Sequence, residues 1–250
     1  MKRYPSMKAL AGFCLALVFS VVMIGCSDSG TTTTETKPVT PKAGSSYTYQ
    51  KHTADSTSGG SMVTTDSQVV ATIVSSGLSV HGHDSVITSF DDWDTVQYAI
   101  ESNGDVSLYV DKFSAFGYSI SNPNPWLRFP FGSKSDSIQV VTVDTNISLG
   151  GLPIAIQVRG VMHYNGTETL TGSTSASGGV ATFALNITAS AAGGFVKFSV
   201  LGNQRLAYDP SIGNYFHYTK DLIVPDVAAA GITGGTQHTE KTLVSYNLVK

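Results

Sequence analysis

Two short stretches gather side chains able to do chemistry. The first is His81-Gly82-His83-Asp84. On a strand, residues two apart project from the same face, so His81 and His83 would present two imidazoles to one zinc ion. Asp84 would face the other way unless the backbone bulges at Gly82. A zinc site takes three or four protein ligands, so a third would have to come from elsewhere, with His163 and His217 the candidates. The metallo-hydrolase pattern wants another histidine after the aspartate, and Ser85 stands there. The plainer reading is a polar strand end facing water. His81 and His83 are therefore candidates for a metal site, and no metal or other cofactor is assigned.

The second stretch is Asp91-Asp92-Trp93-Asp94. Three carboxylates could contribute to a calcium site of six to eight oxygens, or form a general acid/base pair. The spacing lacks the glycine and distal glutamate of an EF-hand loop. The plainer reading is a solvated turn with Trp93 tucked under it, since Asp is a common turn residue. Trp93 and Trp126 are the two tryptophans and the candidates for stacking on a flat ligand such as a sugar. No Gly-x-Ser-x-Gly elbow and no phosphate-binding glycine loop occurs. The expectation is a protein that is not an enzyme.

A third reactive group lies near the start. Lys2, Arg3 and Lys8 precede an apolar run from Ala9 to Ile24, which ends at Gly25-Cys26. A basic end, an apolar core and small residues before a cut describe a secretory signal. Met23-Ile24-Gly25-Cys26 resembles the bacterial lipobox, with Met23 and Ile24 departing from its usual Leu and Ala or Ser. The resemblance implies cleavage after Gly25, a diacylglycerol on the Cys26 thiol and acylation of the new amine. Several acyl chains hold a protein at a membrane stably where one does not. Sixteen apolar residues fall short of the roughly 20 that span a bilayer as a helix. The expectation is a lipid anchor in a bacterial envelope, with Ser27 after the cysteine pointing to the outer membrane, facing the periplasm.

The organisation follows: residues 1–25 a lipoprotein signal, 26–45 a lipidated Thr/Pro-rich linker, and 46–250 one domain. Removing the first 25 of 250 residues takes three basic residues and no acid, so 12 Lys+Arg face 18 Asp+Glu, a balance of −6. Such a chain is a poor partner for nucleic acid. The only other cysteine, Cys14, leaves with the signal, so no disulfide or cysteine nucleophile remains.

The elements that must position these residues are strands. Tyr47 and Tyr49 alternate with polar neighbours, and Ser67 to Ser75 is rich in β-branched residues. Asn103-Gly104 between two alternating runs predicts a hairpin with positive φ at both residues. Asn165-Gly166 predicts a second hairpin turn and Gly178-Gly179 a further turn. Asp209 to Asn214 is another turn. Prolines at 123, 125 and 130 predict a loop or an edge strand. A short helix is placed at Val227 to Ala230; no stretch keeps a 3.6-residue apolar period. The fold class is all-β, with roughly a dozen strands and little helix. The alternatives are a single antiparallel curved sheet, as a half-barrel or open barrel, and a β-sandwich. Tyr215, Phe216 and Tyr218 are expected to put aromatics on both sheet faces.

Three places together carry a resemblance: Gly44-Ser-Ser-Tyr47-Thr-Tyr49 after the linker, Gly166-Thr-Glu168-Thr-Leu170 before Gly178-Gly179, and Tyr208-Asp-Pro-Ser-Ile-Gly213-Asn-Tyr215 near the end. Their order resembles uncharacterised bacterial lipoproteins whose sheets are similar to the LolA/LolB-type antiparallel half-barrel. The resemblance implies a curved sheet wrapped around an apolar cleft. It carries over no functional residue. The leading expectation is a non-catalytic binding or structural module contacting an apolar small molecule or an envelope protein. The alternatives are a surface adhesion or carbohydrate-binding module using Trp93 or Trp126, and a metal-dependent hydrolase around His81 and His83.

Overall fold

A computed structural model describes residues 37–91, 94–115, 118–136, 138–149, 152–172, 174–191, 196–227 and 233–249. They lie in the second of the chain's two units, Thr36–Lys250. The signal, Cys26, Asp92, Trp93 and the residues 228–230 given to a short helix fall outside the described residues.

Every regular element among the described residues is a strand. In order they are β1 (Ser46–Thr57), β2 (Val63–Val80), β3 (His83–Asp91), β4 (Asp94–Ile100), β5 (Val106–Tyr109), β6 (Lys112–Ala115) and β7 (Tyr118–Ser121). There follow β8 (Trp126–Phe129), β9 (Ile138–Leu149), β10 (Leu152–Leu170), β11 (Ala176–Ala191), β12 (Val196–Asp209), β13 (Asn214–Val224) and β14 (Gly235–Asn247). Twelve form one sheet in the order β8-β5-β4-β3-β2-β1-β14-β13-β12-β11-β10-β9, and β6 and β7 form a separate pair. All pairings are antiparallel. The edges β8 and β9 approach each other without pairing, so the sheet is a nearly closed barrel. Of the two shapes expected, the molecule takes the single curved sheet.

The inner face follows the alternation. Tyr47 and Tyr49 pair with Ala71 and Val69 on β2, and Ile87 pairs with Tyr98 across β3 and β4. Val158, Ile187 and Val200 continue the same face across β10, β11 and β12. These residues belong to one core. Full burial of a large apolar side chain stabilises by about 1.5–3 kcal/mol. Phe131 closes the seam by stacking on Tyr208 at 5.1 Å and on Phe129 at 5.9 Å.

Three turn expectations and one strand expectation change. The hairpin at Asn103-Gly104 exists, but its loop spans residues 101–105 and only Gly104 has a positive φ, 85°. The two-residue turn with both φ values positive is instead His81-Gly82, at 51° and 73°, with Val80 paired to His83. That is the type I′ geometry. Asn165-Gly166 is no hairpin end; it forms a bulge within β10, between Tyr164 and Thr167. Gly178 and Gly179 lie inside β11, where a Cβ on Gly178 would meet the Tyr208 carbonyl oxygen at 1.7 Å. Close backbone approach, rather than a turn, requires that glycine.

The barrel end near the β12–β13 turn is plugged by the chain itself. Tyr47 donates to the Ile212 carbonyl at 2.7 Å, Tyr98 to the Gly213 carbonyl at 3.3 Å and Tyr49 to the Tyr215 carbonyl at 2.9 Å. Asp209 caps the turn by accepting from the Ser211 and Ser177 N–H groups. The tract leading into β1 packs here too: the Val39 N–H donates to the Pro210 carbonyl at 2.8 Å, and Pro41 and Ser45 are buried.

Candidate functional site

Inside the barrel lies a cavity of about 300 Å³, at the lower end of the range typical of small-molecule sites, about 300–1,000 Å³. Its apolar wall is Val96, Val106, Leu108, Phe129, Phe131 and Leu206. Its polar wall is Asp91, Lys241, Tyr208, Tyr215 and Tyr218. Sheet register explains both. Asp91 ends β3 on the face of Ser89 and Ile87, beside Ala71 on β2. Lys241 pairs with Tyr218 and shares its face with Leu243. On β13 the register slips opposite Ala207 and Tyr208, so that Tyr215 pairs with Tyr208 and Tyr218 with Leu206. Phe216 takes up the extra residue. A bulge of this kind re-aims side chains, and here it brings Tyr215 and Tyr218, three residues apart, to the cavity.

The polar wall is organised by one ion pair. The Lys241 ammonium donates to Asp91 Oδ2 at 2.8 Å, and the Tyr215 hydroxyl donates to the same oxygen at 2.9 Å. Tyr215 stacks on Tyr49 with ring centroids 4.6 Å apart and lies 5.8 Å from Tyr218. Among the described residues, two buried side-chain polar atoms have no protein partner: Asp91 Oδ1 and the Tyr208 hydroxyl. Asp91 is 7% exposed and Tyr208 3%. Buried polar groups are nearly always hydrogen-bonded, and both of these residues line the cavity. Burial pushes the hydroxyls of Tyr49, Tyr98 and Tyr215 well above their ordinary range, with Asp91 adding to the effect at Tyr49 and Tyr215. Burial raises Tyr208 and Tyr218 as well. All five stay neutral donors at physiological pH.

The acidic stretch is thus divided by the fold. Asp91, read as part of a solvated turn, is buried against Lys241. Asp94, its pairing partner at the β3–β4 hairpin end, is exposed and accepts from the Thr95 N–H at 2.8 Å. Of the three aromatics at 215–218, the bulge turns Tyr215 and Tyr218 to the same side, where a regular strand would oppose them.

His81, His83 and Trp126 come together on the outside. The His81 ring stacks on Tyr109 at 4.0 Å, and Trp126 lies 5.2 Å from Tyr109 and 4.6 Å from His83. The Trp126 indole N–H donates to the His81 carbonyl at 3.3 Å. His83 Nε2 lies 3.1 Å from Glu101, which also accepts from the Ser107 hydroxyl. His81 sits in the turn and His83 opens the next strand, so the two imidazoles do not share one strand face. His217 pairs with Glu168 and Glu240, and His163 faces Asp136 at 3.9 Å. Among the described residues no group of three or more His, Cys, Asp or Glu is placed to hold a metal ion.

Sequence reasoning singled out Asp91, Tyr215 and Tyr218 but missed the other two residues of the cavity's polar wall. Lys241 and Tyr208 carry no local signal, because an isolated Lys or Tyr in an alternating strand reads as a solvent-facing or core position. Comparison with known proteins adds nothing to this geometry: no family model, no curated protein and no solved structure matches the chain.

Proposed function

We propose that this protein is a non-catalytic binding module that holds a small, mostly apolar molecule inside its barrel. The observation that carries the reading is the cavity itself, apolar on one wall and lined on the other by Asp91 and Tyr208, each of which has a buried polar atom without a protein partner. Convergent polar groups in an otherwise apolar pocket are what small-molecule sites share. The curved-sheet architecture is compatible with the half-barrel lipoproteins that the motifs resemble. The signal and the Cys26 lipobox support placing the module on a lipid anchor at a bacterial membrane, the outer membrane being the favoured one. Native mass spectrometry of protein extracted from its own cells tests the reading. A bound small molecule, lost when Leu206→Trp fills the cavity, is the expected result. An unliganded mass in every preparation would sink it.

The outer aromatic cluster favours a second reading, an adhesion or carbohydrate-binding surface. Tyr109 and Trp126 meet edge-on and half-exposed, and His83 links Trp126 to Glu101, an acceptor for sugar hydroxyls. Binding to a glycan array that Trp126→Ala abolishes would establish it in place of the first.

A further inference from the structure

Resting on the reading of the cavity as a ligand site, we propose that its occupant carries a hydrogen-bond-donating, non-anionic polar end: an alcohol, an amide or an ammonium head on an apolar body. The two unpartnered atoms set this requirement. The Asp91 carboxylate pairs with the Lys241 ammonium through Oδ2, which leaves Oδ1 as an acceptor without a partner. The ligand atom that meets it must donate. The Tyr208 hydroxyl both donates and accepts, so a hydroxyl or amide head is suited to pairing with either group.

Charge decides against acids. Among the described residues, the ionisable groups lining the cavity, tyrosines apart, are Asp91, Asp94 and Lys241. The single ammonium is already committed to Asp91 at 2.8 Å. A carboxylate or phosphate head would meet the buried Asp91 carboxylate, whose repulsion burial strengthens, and the exposed Asp94 beside it, with no uncommitted Lys or Arg among the described lining residues. An alcohol meets an acceptor, and an ammonium meets an acceptor with net negative surroundings. The apolar wall from Val96 to Leu206 takes the body of the molecule.

Three ligands of equal chain length test this: 1-octanol, octylamine and octanoate. Each is titrated calorimetrically near neutral pH into the full chain after bound lipids have been stripped. Octanol and octylamine are expected to bind with one-to-one stoichiometry, and octanoate about tenfold or more weakly. Tyr208→Phe removes a hydroxyl that has no protein partner, so the variant should fold normally and bind octanol several-fold more weakly. Three ligands binding within about threefold of one another would overturn the donor requirement and leave the cavity reading intact. Octanoate binding best would overturn it more directly. Binding of none, or binding that survives Leu206→Trp, would remove the cavity reading and the proposal together. Unchanged octanol affinity in Tyr208→Phe would strike out the part given to Tyr208.

Discussion

Lys241 and Asp91 lie 150 residues apart in the chain and 2.8 Å apart in space. A buried ion pair is weak evidence for stability in itself, but losing one partner leaves an uncompensated charge. Lys241→Met is therefore expected to destabilise the fold by about 3–5 kcal/mol. Asp91→Asn combined with Lys241→Met should recover most of that loss, and urea unfolding of the single and double variants measures it. Asp105 is a second buried carboxylate with a different role. It accepts from the Gly132 and Ser133 N–H groups at 2.9 and 2.7 Å and from Arg128 at 2.7 Å, tying the β4–β5 loop to the segment after β8. Burial pushes its carboxyl upward, but the hydrogen bonds from Ser133, Asn103 and Arg128 outweigh burial and hold it below the ordinary value. With the folded value depressed, the unfolded chain binds more protons. Its contribution is therefore complete above the unfolded carboxyl value near about 4 and is lost as pH falls through the folded value. Thermal unfolding followed downward from about pH 5 should show a steep loss in the wild type and a shallower one in Asp105→Asn.

At the scale of the element, the β12–β13 turn is the piece with most to hold. Gly213 adopts φ +69°, and a Cβ there would lie 2.2 Å from the Val39 carbonyl oxygen and 2.7 Å from Pro41 Cδ. A side chain at a left-handed position costs about 1–2 kcal/mol before any clash. Gly213→Ala should lower the unfolding temperature and lift residues 37–45 off the domain. Trypsin should then cut after Lys42 much faster than in the wild type, and equal cutting would show that the turn does not hold that tract. The Asp209 to Asn214 turn was legible because Asp, Pro and Gly are local turn signals. That the turn folds inward to meet three tyrosine hydroxyls was not, because those tyrosines come from β1 and β4. The same distinction separates His81-Gly82, read as strand yet folded as a tight turn, from Asn165-Gly166, read as a turn yet absorbed as a bulge. Dipeptide preference is a weak prior, and the pairing of the flanking strands overrides it.

For the whole molecule, the barrel leaves two edges, β8 and β9, that meet without a ladder. β8 is four residues long, which limits the unpaired backbone on offer to another chain. Attachment to a membrane belongs to this scale too. If Cys26 carries lipid, Cys26→Ala should move the protein from washed membranes to the soluble periplasmic fraction on cell fractionation. Retention in the membrane would end the anchor reading.

Taken by itself, the sequence determined the class of fold. Period-two alternation and β-branched runs are local properties, and they survive whatever the strands pair with. It also marked Asp91, His81, His83 and Trp126 as residues of interest. Only the tertiary structure decided where they sit. It turned Asp91 inward against a lysine from the last strand, and it gathered His81, His83 and Trp126 into one cluster on the outer face. A bulge of one residue in β13 aligned Tyr215 with Tyr218. The physical reason is that the face of a strand residue depends on register. Register is set by pairing across distant stretches of chain, where a one-residue slip exchanges inside for outside.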